Sequence, residues 1–171
     1  MSTLETTFLG LKLRNPVILA SSGLGSTKEG VRKAFDAGAG AVILKSLFEE
    51  QLRAELSGID GDAHPEAEAF LSGMGMVAGT EEYLRLIRDA RAGAPGPVIA
   101  SINCTGKSVW TDFARQIQDA GADAIELNLG FVPGEPSTGA AAIEDGLVGL
   151  VSSVTSAVSI PVAAKIGASY T

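Results

Sequence analysis

The sequence predicts an α/β fold, a parallel sheet whose strands are joined by helical crossovers, and three observations carry that prediction. Segments 16–21, 97–103 and 161–166 each open on proline and continue as an unbroken apolar run, as in Pro97-Val98-Ile99-Ala100-Ser101-Ile102-Asn103. Such runs suit strands covered on both faces, and proline in first place loses no ladder hydrogen bond. A second motif recurs, Asp36-Ala37-Gly38-Ala39 before Val42-Ile43-Leu44-Lys45 and Asp119-Ala120-Gly121-Ala122 before Ile125-Glu126-Leu127-Asn128. Gly38 and Gly121 stand where a helix ends on a left-handed residue and a strand begins. Between these units lie stretches of helical periodicity.

Taken in order, strands are expected near 16–21, 41–45, 97–103, 123–128 and 161–166. Ser26 with Glu29 and Ser46 with Glu49 have the spacing of capping boxes that start helices. Thr80 followed by Glu81 and Glu82 marks another start, because acidic residues complement the positive end of the helix dipole. Trp110, Phe113, Ala114 and Ile117 form one apolar helical stripe, and Leu147, Val151, Val154 and Val158 form another. The repeated joint suggests two related strand-helix units. From periodicity alone two architectures stay open, a doubly wound open sheet or part of an eight-stranded barrel. A whole barrel needs about 250 residues, more than the 171 here.

Composition narrows the function classes. With 46% hydrophobic residues the chain is globular, and its length suffices for a single domain spanning 1–171. The lone Cys104 excludes a disulfide framework, no Cys and His cluster offers a metal site, and a reducing, cytoplasmic setting is expected. No apolar run is long enough for a membrane span and Glu5 stands where a basic leader would be, so no membrane association is expected. A net charge of -7 argues against nucleic acid as a partner. His64, in a polar stretch, is expected to be a solvated loop residue, and Cys104 an ordinary small buried one.

In parallel sheets the chemistry gathers at the carboxyl ends of the strands. Those ends carry Ser21, Ser22 and Gly23, then Lys45 and Ser46, then Asn103, Asn128 and Lys165. Alternation puts Lys45, Asn128 and Lys165 on the side of Ile43, Glu126 and Ala163. A lysine ending an apolar strand either reaches solvent, pairs with Glu126, or serves a ligand. Two lysines with amides between them favour a site for an anionic or electron-rich ligand. Lys165 could also form a Schiff base with a carbonyl substrate, as a lyase would.

The stretch from Ala100-Ser101-Ile102-Asn103-Cys104 through Trp110-Thr111-Asp112 to Glu126-Leu127-Asn128-Leu129, followed by Pro161-Val162-Ala163-Ala164-Lys165, resembles the FMN-dependent dihydroorotate dehydrogenase family of barrels. It is similar too to the pyrimidine-reducing domain of dihydropyrimidine dehydrogenase. The opening segment, Thr7 to Pro16, resembles the hairpin that leads into the first strand there, at about 3–14 here. The resemblance implies an incomplete TIM-type (β/α) barrel, about five of its eight strands, and an oxidoreductase that moves a hydride from a pyrimidine-type substrate to FMN. By the same resemblance Ala20, Ser21 and Gly23 line the flavin, Lys45 contacts it or its ribityl chain, and Asn103 and Asn128 bind the ring or substrate. Lys165 lies beside the N1 and C2 carbonyl edge, where a fixed cation stabilises the charge of the reduced ring. The Ser72-Gly73-Met74-Gly75-Met76 stretch stands in place of the family's substrate loop.

Two departures matter. The family's cysteine or serine base stands three residues beyond the asparagine matching Asn128, and this sequence has Phe131 there. The asparagines that hold the pyrimidine are absent from the substrate loop. Altered or lost activity is therefore expected, with no catalytic base assigned. The family's phosphate-binding strands and helix lie beyond the five strands found, so FMN binding by this chain alone is expected to be weak or absent. Open sheet edges at 17–20 and 162–164 lack protecting charges, which implies a homo-oligomer or a piece of a longer barrel. A partial barrel kept as a non-catalytic assembly module is the non-enzyme alternative.

Overall fold

The computed structural model describes residues 4–48, 79–103, 110–129 and 139–167. His64, Cys104, Phe131, Glu49 and the 72–76 loop lie outside the described residues. The chain opens with a hairpin, β1 (Thr6–Phe8) antiparallel to β2 (Leu11–Leu13), with Phe8 opposite Leu11. Leu9 and Gly10, at φ 53 and φ 78, make the two-residue turn of left-handed conformation that matches strand twist. There follow β3 (Ile18–Leu19), α1 (Lys28–Asp36), β4 (Ala41–Ile43), β5 (Leu47–Phe48), α2 (Thr80–Ala92) and β6 (Val98–Asn103). The described elements end with α3 (Trp110–Asp119), β7 (Ala124–Asn128), α4 (Ala140–Ala157) and β8 (Val162–Lys165).

All neighbours in the main sheet are parallel, in the order β3-β4-β6-β7-β8, with β5 also pairing β6. Spatial order thus follows chain order. Residues of all four helices, Val31 and Phe35, Tyr83 and Ile87, Trp110 and Ile117, Leu150 and Val154, join one core with Val42, Leu44, Val98, Ala100, Ile102, Ile125 and Leu127 of the sheet. Every described helix therefore covers the same sheet face. A doubly wound sheet would reverse its strand order and place helices on both faces, so the architecture is the incomplete TIM-type barrel. The opposite face, the barrel interior, carries a small apolar cluster of Ile43, Ile99 and Ala124 against Leu9, Leu11 and Ile18. The hairpin thus closes the amino-terminal end of the interior.

Local chemistry explains the joints. The prolines that open strands cannot donate, yet their carbonyls accept from the neighbouring strand, Val42 N–H to Pro97 O at 3.1 Å and Ile125 N–H to Pro161 O at 2.9 Å. Gly38 and Gly121 have φ 107 and φ 97, and past each the chain bonds back into its helix, Ala39 N–H to Ala34 O and Ala122 N–H to Ile117 O. Both copies of the repeated motif therefore end a helix by the same six-to-one bond, and a side chain at either glycine would be strained.

Three expectations are corrected. The strand placed at 16–21 is only Ile18–Leu19, because Asn15 Oδ1 takes the Val17 N–H and the chain turns after Ala20 toward a short 3-10 turn at Gly23–Gly25. The cap of α1 is Thr27, whose hydroxyl accepts from Gly30 N–H at 3.1 Å, while Ser26 donates back to Gly23 O instead. Ser46 caps no helix, because β5 follows it directly. At Thr80 the helix begins as expected, with Gly79 preceding it. None of the described helices is long and apolar enough to cross a membrane.

Tyr83 of α2 ties the helical layer to the sheet. It is fully buried, its hydroxyl donates to Ser101 O at 2.9 Å and accepts from Ser101 N–H at 2.8 Å. Tyr83→Phe strands both backbone groups without a partner, so a loss of about 1–3 kcal/mol in urea unfolding is expected. Burial pushes the phenol pKa well above its ordinary value, the bond to the Ser101 backbone opposes this, and the Glu126 charge adds to it. The folded state thus keeps a proton that the unfolded state releases near pH 10. Stability should therefore be intact below that pH and fall by up to about 1.4 kcal/mol per pH unit above it. In Tyr83→Phe this part of the alkaline loss should vanish.

Candidate functional site

Strand register arranges the barrel interior in rows. Lowest is the apolar row, Ile43 beside Ile99 beside Ala124. Two residues further along, Ser101 stands beside Glu126 and Glu126 beside Ala163. The uppermost described row is Asn103, Asn128 and Lys165. Polarity rises toward the carboxyl ends, where parallel-sheet proteins place their chemistry. Burial falls in the same direction, from Ile99 and Ala124 at 1% and 0% exposed to half-buried Asn103 and Asn128 and exposed Lys165.

Beyond β4 a bulge brings Ser46 to this face. Between Ile43 and Leu47 lie Leu44, Lys45 and Ser46, whereas between their partners Ile99 and Ile102 lie only Ala100 and Ser101. The extra residue sets both Lys45 and Ser46 opposite Ser101 in the register, and it turns the Ser46 hydroxyl to Ser101, where a regular strand would have turned it into the helical core. In register Lys45 lies one row below Lys165 rather than level with it. Ala20 and Gly23 are exposed and Ser21 is half-buried at the end of β3.

A polar chain crosses the interior from strand to strand. Ser21 Oγ lies 3.0 Å from Ser46 Oγ, Ser46 Oγ 2.7 Å from Ser101 Oγ, and Ser101 Oγ donates to Glu126 Oε1 at 2.8 Å. The Lys165 Nζ stands 3.5 Å from the same Oε1. Glu126 is 7% exposed, so this carboxylate is held out of water by a hydroxyl and an ammonium. Ser46 N–H also donates to Ser21 Oγ at 3.0 Å, which fixes the end of β3 against the bulge.

Of the residues singled out in the sequence, Asn103, Asn128 and Lys165 share one row, and Ser21 joins Lys165 through the hydroxyl chain. Sequence reasoning missed Ser101 as a member of the site, although alternation from Asn103 places it on the interior side. Ser46 was placed at a strand end, but nothing in Lys45-Ser46 announces the bulge that brings its hydroxyl to Ser101. Chemically, the face offers an ammonium, two carboxamides, hydroxyls and an open approach at Gly23, where an added Cβ would meet nothing within 4 Å. Ser22 Oγ is buried without a hydrogen-bond partner among the described residues. This donor and acceptor set fits the polar edges of a flat, carbonyl-rich ring such as flavin.

No family model matches the chain. Among curated proteins it is 35% identical over 133 residues to the NAD-dependent dihydropyrimidine dehydrogenase subunit PreA of Escherichia coli K12, a match covering 74% of this chain and 32% of that protein. It is 30% identical over 177 residues to the catalytic subunit of dihydroorotate dehydrogenase B (NAD(+)) of Thermoplasma acidophilum, covering 97% of this chain and 55% of that one. The corresponding subunit of Methanosarcina mazei is 36% identical over 131 residues, covering 75% and 40%. The chain thus spans from 32% to 55% of the length of these relatives. Among solved structures, phosphonopyruvate hydrolase aligns with a TM-score of 0.55 at 18% identity over 89% of this chain and 48% of that one. Dihydrodipicolinate synthase of Agrobacterium tumefaciens aligns at 0.50 and 15% identity, over 87% and 42%. At such identities these two report the fold alone.

Proposed function

The chain is a relative of the dihydroorotate dehydrogenase family, and from that premise we propose that it supplies the flavin-facing half of an FMN-dependent oxidoreductase acting on a pyrimidine-type substrate. The observation that carries this reading is the row Asn103, Asn128 and Lys165 at the carboxyl ends of adjacent strands, set above the buried Glu126. When bound, the flavin supplies a two-electron acceptor for hydride. Ala20, Ser21 and Gly23 would hold one side of it, Lys45 its ring or ribityl chain, and Asn103 and Asn128 the ring or the substrate. Lys165 places a cation where negative charge develops on reduction, and Glu126 holds that ammonium in place from below.

Phe131 stands in the position of the family's proton acceptor and has no group to take a proton, so this reading includes altered or lost turnover of dihydroorotate. Among the described residues β3 and β8 have no outer partner strand, which supports assembly with a second copy or with further barrel strands, and the proposal includes a cytoplasmic setting. The experiment is a titration of FMN, followed by quenching of flavin fluorescence and by the potential of the bound flavin. Lys165→Ala should lower that potential by an amount on the order of a few kcal/mol, because the reduced ring loses its cation. An unchanged potential contradicts the role assigned to Lys165. Covalent trapping of a carbonyl compound on Lys165 by borohydride, with no flavin bound, would favour the Schiff-base lyase instead.

A further inference from the structure

The hydroxyl chain has a direction, and Glu126 determines it. Each serine hydroxyl has one proton to donate and two lone pairs, whereas a carboxylate oxygen only accepts. Ser101 therefore spends its proton on Glu126 Oε1, at 2.8 Å. Across the 2.7 Å contact Ser101 must then accept, so Ser46 donates. Its proton committed, Ser46 must accept across the 3.0 Å contact from Ser21. The Ser46 N–H occupies a lone pair on Ser21 Oγ. What remains at Ser21 is one lone pair and no proton.

We propose that Glu126 is a positioning residue that polarises the Ser21-Ser46-Ser101 chain, so that Ser21 meets a ligand as an acceptor only and selects one that presents an N–H there. Aligned hydroxyls strengthen one another, and the ammonium of Lys165 at the far end anchors the charge toward which all three point. The consequence is long-ranged. A carboxylate on β7 sets the hydrogen-bonding character of a side chain after β3, across the intervening strands β4 and β6. The identity of the ligand rests on the flavin reading above; the polarity does not. Reduced flavin carries an N–H at N5 that the oxidised ring lacks, so with that edge of the ring at Ser21 an acceptor-only hydroxyl favours the reduced form.

Neutron diffraction from crystals of the deuterated full chain reads the polarity directly. The deuteron of Ser101 should lie toward Glu126, that of Ser46 toward Ser101 and that of Ser21 toward Ser46. A Ser46 deuteron pointing at Ser21 overturns the proposal whatever the ligand is. With FMN as the probe, Ser46→Ala should free the Ser21 proton and lower the ratio of reduced to oxidised FMN affinity by about three- to tenfold, the scale of one hydrogen bond. Equal weakening of both forms is the result of a merely structural role and counts against it. Should FMN not bind to this chain alone, the deuteron positions still decide the polarity.

Discussion

Trp110→Ala is expected to destabilise the fold by about 3–5 kcal/mol, a large share of the roughly 5–15 kcal/mol that holds a typical domain together. Trp110 is fully buried at the start of α3, with its ring edge-on to Phe113 at a centroid distance of 6.3 Å, and Phe113 in turn lies 6.4 Å from the Tyr83 ring. Removing the indole leaves a cavity beside Phe113, the ring that packs near Tyr83, whose hydroxyl holds both backbone groups of Ser101. The site row built on β6 should loosen with it. Because Trp110 is the only tryptophan, unfolding of the variant must be followed by far-ultraviolet circular dichroism. Trp110→Phe, which keeps most of the volume, should lose much less. A loss below about 1 kcal/mol for the alanine variant would show that the aromatic cluster is not what joins α3 to the sheet.

Dihydroorotate mixed with FMN-loaded protein should bleach the flavin about 10²–10⁴ times more slowly than in a relative that has a cysteine or serine base, the usual worth of a positioned general base. The reason is Phe131, in the base position by resemblance. Oxidation of the substrate removes a hydride from one carbon and a proton from its neighbour, and a phenyl ring accepts no proton. Phe131→Ser should recover part of that factor in stopped-flow absorbance. Bleaching by the unaltered chain at ordinary enzymatic rates would show that another group takes the proton. Of the described residues at the site, Glu126 is the carboxylate to test next, by Glu126→Gln.

Much of the fold was legible because its signals are local. The proline-led runs at 97–103 and 161–166, the glycine joints at Gly38 and Gly121, and the stripe of Trp110, Phe113, Ala114 and Ile117 all have causes within a few residues, and the structure shows each of them. Alternation likewise placed Asn128 and Lys165 on the interior side. The bulge at Lys45-Ser46 was not legible, since it is a property of how β4 and β5 meet β6. Ser46 with Glu49 imitates a capping box, yet its hydroxyl is taken by Ser21 and Ser101. Ser26 and Thr27 are adjacent hydroxyl residues, and spacing alone favoured the wrong one. Whether the sheet was singly or doubly wound depended on where the helices pack, which periodicity does not encode.

By the function proposed above, the carboxyl ends of the described strands form a flavin face. Backbone amide shifts recorded while FMN is added, up to millimolar concentration so that weak binding is seen, locate that face. The expected shifts fall on Ala20, Ser21, Gly23, Lys45, Asn103, Asn128 and Lys165, with the hairpin at Thr6–Leu13 unmoved. Shifts confined elsewhere, for instance to the groove between α1 and α2 lined by Arg32, Phe35 and Asp89, would contradict the account.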